Sequence, residues 1–343
     1  NRANPPQLLA LQRFAPDAHV ALGRFDTELL AKAERIILSP GIALHDPLIA
    51  PLVAKGVPVI GDIELFAEAT NVPTVAITGT NAKSTVTTLV GLMAQEAGFK
   101  TQVGGNLGVP ALDLLKEGTE WYVLELSSFQ LETTFSLQPS VATILNISPD
   151  HMDRYDDLAG YVAAKARVYT HAKVAIVNRD DALTEVSNSH IQKYYFTLGQ
   201  PSVNQFGIRQ QNGKAQLAFH EEIIMSVSDL PVVGKHYQAN ALAALAIGHG
   251  MGLPFAAMIA VLKRFPGLPH RCQFVRELRD VTWYNDSKGT NVGATAAAIE
   301  GLGPDIPGKL IVILGGVGKN ADFSSLIPVL QRYAREVVLI GEV

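Results

Sequence analysis

Short continuous apolar runs alternate with helix-period stretches along almost the whole chain. This is the pattern of parallel α/β units, whose strands are buried on both faces. In the first 60 residues, 19–22, 35–38 and 57–60 are predicted strands, 25–33 and 46–55 are predicted helices, and Ser39-Pro40-Gly41 predicts a turn. A second sheet is predicted to start at Val72, with buried strands at 121–126, 141–147 and 174–178 and a helix over 161–171. From 193 to 227 the texture becomes polar and alternating around Gln211-Asn212-Gly213, which predicts a small antiparallel insert. Two Ala-rich helices, 239–250 and 254–263, close this part, and Pro266-Gly267-Leu268-Pro269 reads as a linker. Beyond it, strands at 281–284 and 310–314 and helices at 292–301 and 323–335 predict a third unit. The expected domains are 1–61, 62–266 and 267–343. The chain opens in the loop-like Asn1-Arg2-Ala3-Asn4-Pro5-Pro6 and closes on a strand pattern, Val337-Val338-Leu339-Ile340-Gly341, so both terminal domains are expected to be cut short.

One strand-to-helix junction carries chemistry. The apolar run Val75-Ala76-Ile77 stops at a small-residue loop, Thr78-Gly79-Thr80-Asn81-Ala82, and Lys83-Ser84-Thr85 opens a helix-period stretch. This geometry holds nucleotide phosphates. Backbone N–H groups and the positive helix end face the anion, Lys83 adds a point charge, and Ser84 or Thr85 offers a ligand for Mg²⁺. The full Walker pattern wants Gly at 77 and 82, where this chain has Ile77 and Ala82, so the match is to a shorter form, Gly79-x-x-x-Lys83-Ser84. The competing reading is a plain turn with a surface lysine; phosphate binding is preferred.

Composition narrows the class without naming it. With 343 residues, 48% apolar, 17% charged and a net charge of −4, the chain is expected to be globular, without a nucleic-acid or membrane surface. No apolar run is long enough to span a membrane, and neither a span nor a signal peptide is expected. The single Cys272 excludes an internal disulfide, which suits a reducing cytoplasm, and is read as a half-buried spectator rather than a nucleophile. A monomer is expected.

Further polar groups collect at strand ends. Glu125 closes the strand Trp121-Tyr122-Val123-Leu124 and is placed to hold Mg²⁺, with a solvent-facing strand-end acid as the alternative. Asn146 to Tyr155 packs many hydrogen-bonding side chains into one loop, where Asp150 or His151 would meet a metal or the γ-phosphate, although a lone loop His is usually unremarkable. Lys165, inside Ala163-Ala164-Lys165-Ala166-Arg167, reads from its surroundings as a surface lysine. Asn285 to Asn291 and Gly315-Gly316-Val317-Gly318-Lys319 are further polar loops after strands. Strand-end loops from three successive domains converging on one cleft suit an enzyme that joins several substrates.

Taken together, these segments resemble the Mur ligases, the ATP-dependent amino-acid-adding enzymes of peptidoglycan synthesis. The resemblance runs over essentially the whole chain. It rests on Ser39-Pro40-Gly41, Gly61 to Phe66, the phosphate loop, Leu124-Glu125-Leu126-Ser127-Ser128-Phe129-Gln130-Leu131-Glu132, Asp150 to Tyr155, Leu268-Pro269-His270-Arg271 and Asn285 to Asn291. The Ser-Ser-Phe-Gln-Leu-Glu and Asp-His-Met-Asp-Arg-Tyr segments point to the D-glutamate-adding members. Other Mur ligases, a folylpolyglutamate synthase-like ligase and an inactive nucleotide-binding relative are the competing identities.

The resemblance implies a three-domain α/β fold: a Rossmann-like N-terminal domain for UDP, a central P-loop ATPase-like domain and a Rossmann-like C-terminal domain for the amino acid. It implies that the alanyl carboxylate of UDP-N-acetylmuramoyl-L-alanine attacks the γ-phosphate of ATP, and that D-glutamate then attacks the acyl phosphate. By resemblance, Gly79, Thr80, Asn81, Ala82, Lys83, Ser84 and Thr85 line the ATP phosphates, with Asn240 and Asp286 on adenine and ribose. Ser84, Glu125, His151 and a carbamylated Lys165 would serve two Mg²⁺ ions, and Lys83, His151, Lys165 and Arg271 would be catalytic. Arg271 would reach the γ-phosphate on domain closure. Arg2, Gly41 and Asn106 match UDP-sugar contacts, and Lys288, Thr290 and Lys319 match or adjoin D-glutamate contacts. Two positions depart from the family pattern: Ala82 replaces a Gly and is tolerable only at negative φ, and Tyr237 replaces an adenine-pocket Asn, where it would stack on the base. The cut ends put turnover by this chain alone in question.

Overall fold

The first 60 residues fold as shorter pieces than their hydrophobic pattern predicts. In the computed structural model, which describes residues 3–186, 189–232, 234–318 and 321–341, β1 (Ile36–Ile37) and β2 (Val59–Ile60) pair in parallel. They are accompanied by α1 (Leu8–Phe14), α2 (Thr27–Ala31) and α3 (Ala50–Ala54) around a small core of Ile36, Leu38, Ile49, Leu52 and Val59. Residues 19–22 are not a strand; three of the four are exposed, and no sheet covers them. The helix expected over 25–33 is trimmed to five residues because Asp26 caps it, its carboxylate accepting from the amides of Glu28 and Leu29. Helix α4 (Asp62–Ala69) leads away and buries Ile63 and Phe66 against the central sheet.

The central elements follow in order: β3 (Thr74–Thr78), α5 (Lys83–Glu96), β4 (Thr101–Gly105), β5 (Trp121–Glu125), α6 (Ser128–Glu132), β6 (Val141–Ile144), α7 (Leu158–Ala166) and β7 (Val174–Asn178). Next come β8 (Gln192–Phe196), β9 (Gln205–Gln211), β10 (Lys214–Phe219), β11 (Glu222–Ser226), α8 (Lys235–Gly250) and α9 (Phe255–Arg264). Among the described residues the strands form one sheet in the order β11-β10-β9-β8-β7-β6-β3-β5-β4. Pairing is parallel from β4 through β9 and antiparallel through β9, β10 and β11. The expected antiparallel insert is there, continuous with the sheet edge. Its hairpin turns at Asn212 and Gly213, with φ of 52° and 72°, as a two-residue primed turn requires.

Strand β3 is buried at every position. Its Val75 and Ile77 point into one core with α5, α8 and α9, and its Ala76 points into the other with α4 and α7. Because β4 and β5 lie on one side of β3 and β6 and β7 on the other, the strand order reverses beside it. Ligands of open α/β sheets bind at the carboxyl end of such a switch point.

The third unit holds the antiparallel pair β12 (Gln273–Leu278) and β13 (Val281–Asn285), then α10 (Val292–Leu302), β14 (Leu310–Gly316), α11 (Ile327–Tyr333) and β15 (Ala334–Gly341). Strands β14 and β15 pair in parallel. The helix expected over 323–335 is shortened to α11, preceded by a 3₁₀ turn and followed at once by β15.

Candidate active site

The phosphate loop lies between the end of β3 and the start of α5. Gly79 has φ of 152°, and a Cβ there would stand 3.1 Å from Leu145 Cβ and 3.2 Å from its amide nitrogen, so only glycine fits between the two strand ends. Ala82 adopts φ 68°, ψ −7°, the left-handed conformation. The negative φ under which a methyl would be tolerated here is therefore not met. The loop needs that turn to enter α5, and the alanine bears a conformational cost of about 1–2 kcal/mol. No side chain caps the helix start, which leaves its first-turn amides open to an anion. The loop is held from below by Asn146: the Thr80 amide donates to its carbonyl at 2.9 Å and the Asn81 amide to its Oδ1 at 2.8 Å. Thr80 Oγ1 donates to the Ser148 carbonyl at 3.1 Å and sits 3.2 Å from the Tyr161 hydroxyl.

Three basic side chains meet here. Lys83 Nζ donates to the carbonyls of Gly79 and Thr80, both at 2.8 Å. Lys165 is only 2% exposed; its Nζ donates to the Gly79 carbonyl at 2.9 Å and to Thr78 Oγ1 at 3.4 Å, above the Tyr161 ring. The surface-lysine reading of Lys165 is overturned, because α7 turns this face toward the end of β3. Burial lowers the pKa of both lysines, and that of Lys165 falls well below the ordinary range because the Lys83 charge adds to burial. Glu125 and Asp150 offset part of the effect for both. Arg271 reaches across from the third unit, its Nη2 donating to Ser84 Oγ at 2.9 Å.

Glu125 is 3% exposed, which removes the solvent-facing alternative. Its Oε1 accepts from Asn106 Nδ2 at 2.7 Å, and Asn106 also donates its amide to the Glu125 carbonyl at 2.8 Å. Oε2 is buried with no hydrogen-bond partner. A carboxylate oxygen left so is costly unless a cation meets it, and that is the chemistry of a hard divalent ion. His151 sits at φ 57° with its ring edge-on to Phe129 at 5.0 Å and its Nε2 3.8 Å from Asp150 Oδ2. Among the described residues no three His, Cys, Asp or Glu side chains group closely enough to hold a metal by themselves. Donors of other kinds would have to complete such a site.

The third unit also brings Asn291. Its Nδ2 donates to Asn81 Oδ1 at 2.9 Å, and its Oδ1 accepts from Asn81 Nδ2 at 3.3 Å and from the Ala294 amide at 2.8 Å, capping α10. Asp286 accepts from the Cys272 amide at 2.9 Å, and burial raises its carboxyl pKa. Burial also pushes the Cys272 thiol up to about 12, a spectator's value. Asn240 is half-buried on α8, and Gly41, Lys288 and Thr290 are exposed. Arg2 and Lys319 lie outside the described residues. Tyr237 is not available to stack on a base. It is 2% exposed, lies parallel to Phe265, and its hydroxyl donates to the Phe265 carbonyl at 3.2 Å, because this face of α8 packs on α9 rather than on the cleft.

Comparison with known proteins agrees with this geometry. Residues 1–61 match the Mur ligase MurD-like N-terminal domain, 77–248 the Mur ligase middle domain and 270–343 the Mur ligase glutamate ligase domain. The chain is 54% identical over 341 residues to the UDP-N-acetylmuramoylalanine–D-glutamate ligase of Pseudomonas syringae pv. tomato, covering 99% of this chain and 76% of that one. It is 52% identical to the protein of the same name from Nitrosococcus oceani, covering 100% and 76%. The chain belongs to the Mur ligase family.

More distant structures show the same fold. MurF from Acinetobacter baumannii superposes with a TM-score of 0.65 at 20% identity, covering 93% of this chain and 80% of its own. The UDP-N-acetylmuramate-alanine ligase of Thermotoga maritima gives 0.61 at 20%, covering 94% and 74%. Within this Mur ligase, sequence reasoning missed Asn146 and Asn291 as parts of the loop's setting. Asn291 had a readable signal, an Asn directly before a helix-period run. Asn146 had only the polar loop that it opens, since its own partners are fixed by the pairing of β3 with β6.

Proposed function

We propose that this Mur ligase joins D-glutamate to UDP-N-acetylmuramoyl-L-alanine with cleavage of ATP to ADP and phosphate, a cytoplasmic step of peptidoglycan synthesis. Identity above one half to ligases of that name, along nearly the whole chain, carries the reading. The convergence of Lys83, Lys165, Arg271 and Glu125 at one phosphate loop supports it. Among the described residues no helix is long and apolar enough to cross a membrane.

Two anions must meet in the first step, the alanyl carboxylate and the γ-phosphate. The carboxylate oxygen bonds to phosphorus as the bond to the ADP oxygen breaks, giving an acyl phosphate. Lys83 on the loop carbonyls and Arg271 on Ser84 Oγ offset the gathering negative charge. Ser84 Oγ and Glu125 Oε2 would hold Mg²⁺, with phosphate oxygens, His151 and a carbamylated Lys165 completing the coordination of two ions. When bound, the metal supplies charge to the phosphate oxygens. The amine of D-glutamate then attacks the acyl carbon, phosphate leaves, and the amine's extra proton is lost to solvent.

Carbamylation requires a neutral amine: Nζ adds to the carbon of CO₂ and loses a proton. Burial against Gly79 and Thr78, which favours the uncharged form of Lys165, supports that chemistry. With ¹³C-labelled bicarbonate, a carbamate carbon signal should appear in the NMR spectrum and vanish in Lys165→Arg. A signal persisting in that variant would remove Lys165 from this role.

A further inference from the structure

Arg154 lies in the same turn as His151 and makes more contacts across the domain boundary than its sequence context suggests. Its amide donates to the His151 carbonyl at 2.9 Å, fixing the two residues on one turn. Its guanidinium leaves that turn and reaches the first domain. Nη1 donates to the Pro40 carbonyl at 3.4 Å and Nη2 to the Ile42 carbonyl at 3.2 Å, the carbonyls on either side of Gly41. Nη2 also meets Glu132 Oε2 at 3.2 Å, and the guanidinium carbon lies 4.4 Å from the Phe129 ring centre. The ion pair is largely withdrawn from water, at 13% exposure for Arg154 and 18% for Glu132.

That arrangement uses what only arginine offers: a planar fork wide enough for two carbonyls, a charge that a carboxylate can orient, and a face that stacks on a ring. Arg154 thus grips the Pro40–Ile42 loop by its two carbonyls. Gly41 itself is exposed, with open space where a Cβ would point. Gly41 is thus presented to solvent while its neighbours are tied to the His151 turn, and Phe129 makes ring contact with both Arg154 and His151. A second tie runs alongside, the Gly61 amide donating to the Thr133 carbonyl at 3.1 Å.

We propose that Arg154 is a positioning residue for the UDP-sugar substrate, holding the Pro40–Ile42 loop at a set distance from the phosphate loop. The proposal rests on the reading that this loop carries the UDP-sugar. Arg154 touches no reacting atom; it acts through the loop. Its removal should therefore weaken capture of one substrate rather than slow the chemistry.

The test is steady-state kinetics of R154Q, R154K and E132Q, with each of the three substrates varied in turn. For R154Q the KM for UDP-N-acetylmuramoyl-L-alanine should rise about tenfold or more, the scale of losing charge-assisted hydrogen bonds. Its kcat and its KM values for ATP and D-glutamate should stay within about twofold. R154K keeps the charge but cannot bridge two carbonyls, so it should behave like R154Q; E132Q should show a smaller rise in the same KM. A merely structural role would lower kcat or the melting temperature with every KM unmoved, and would overturn the proposal. An unchanged KM for the UDP substrate in every variant that folds would do the same. If the unmutated protein fails to use UDP-N-acetylmuramoyl-L-alanine at all, the proposed activity fails first, and the two failures are told apart.

Discussion

Lys165 costs the folded chain stability whenever it carries a proton. Its ordinary pKa of 10.5 is lowered by burial and by the Lys83 charge, so below 10.5 the unfolded chain holds a proton that the folded chain gives up more easily. Unfolding free energy then rises with pH across the window from the lowered value up to 10.5. Without bicarbonate, Lys165→Met should flatten that slope in urea unfolding between about pH 7 and 10, and an unaltered slope would show that burial does not control this amine. Lys83→Ala should fold normally and lose phosphate release by about a thousandfold or more, as loss of a charge aimed at the transition state does; near-normal release would remove Lys83 from the ATP site. Glu125 and Lys83 were legible because their positions at a strand end and a helix start carry meaning. Lys165 was not, since nothing in Ala163–Arg167 says that this face of the helix turns toward the end of β3.

At the scale of elements, the end of β4 is built to let two backbones touch. Gly105 has φ of 93°, and a Cβ there would lie 2.5 Å from the Glu125 carbonyl oxygen. Gly105→Ala should cost upward of about 2 kcal/mol, left-handed strain plus a backbone clash, and should also shift Glu125. Chemical denaturation measures the cost, and an unchanged midpoint would contradict the close approach. The buried strands β3, β5, β6 and β7 could be read from apolar runs alone, because a strand covered on both faces has no alternative use for such a run. The two-residue strands of the first domain could not. Runs so short become strands only where a partner completes the ladder, which β1 and β2 give each other and residues 19–22 do not receive.

Across the whole molecule, the phosphate site is completed where the third unit meets the second; the sequence led to the convergence of strand-end loops and to Arg271, but not to the individual partners, which lie far apart along the chain. Asn81 and Asn291 pair across 210 positions, and Arg271 reaches Ser84 across 187. His236 marks the same junction: it opens α8, its Nδ1 is buried without a hydrogen-bond partner, and a Cβ on Gly301 of α10 would collide with it. Burial lowers its pKa from 6.5, with Asp286 opposing in part. As pH falls below 6.5 the unfolded chain takes up the proton first, so stability is lost from there down to the lowered value. His236→Gln should reduce this acid sensitivity in thermal unfolding between about pH 5 and 8, and an identical pH profile would contradict the burial argument.

The most direct test of the proposed activity is phosphate release from ATP and Mg²⁺ with UDP-N-acetylmuramoyl-L-alanine, adding D-glutamate, L-glutamate, meso-diaminopimelate or L-lysine in turn. Release that requires D-glutamate is the predicted result. Release driven by another of these amino acids and not by D-glutamate would contradict it.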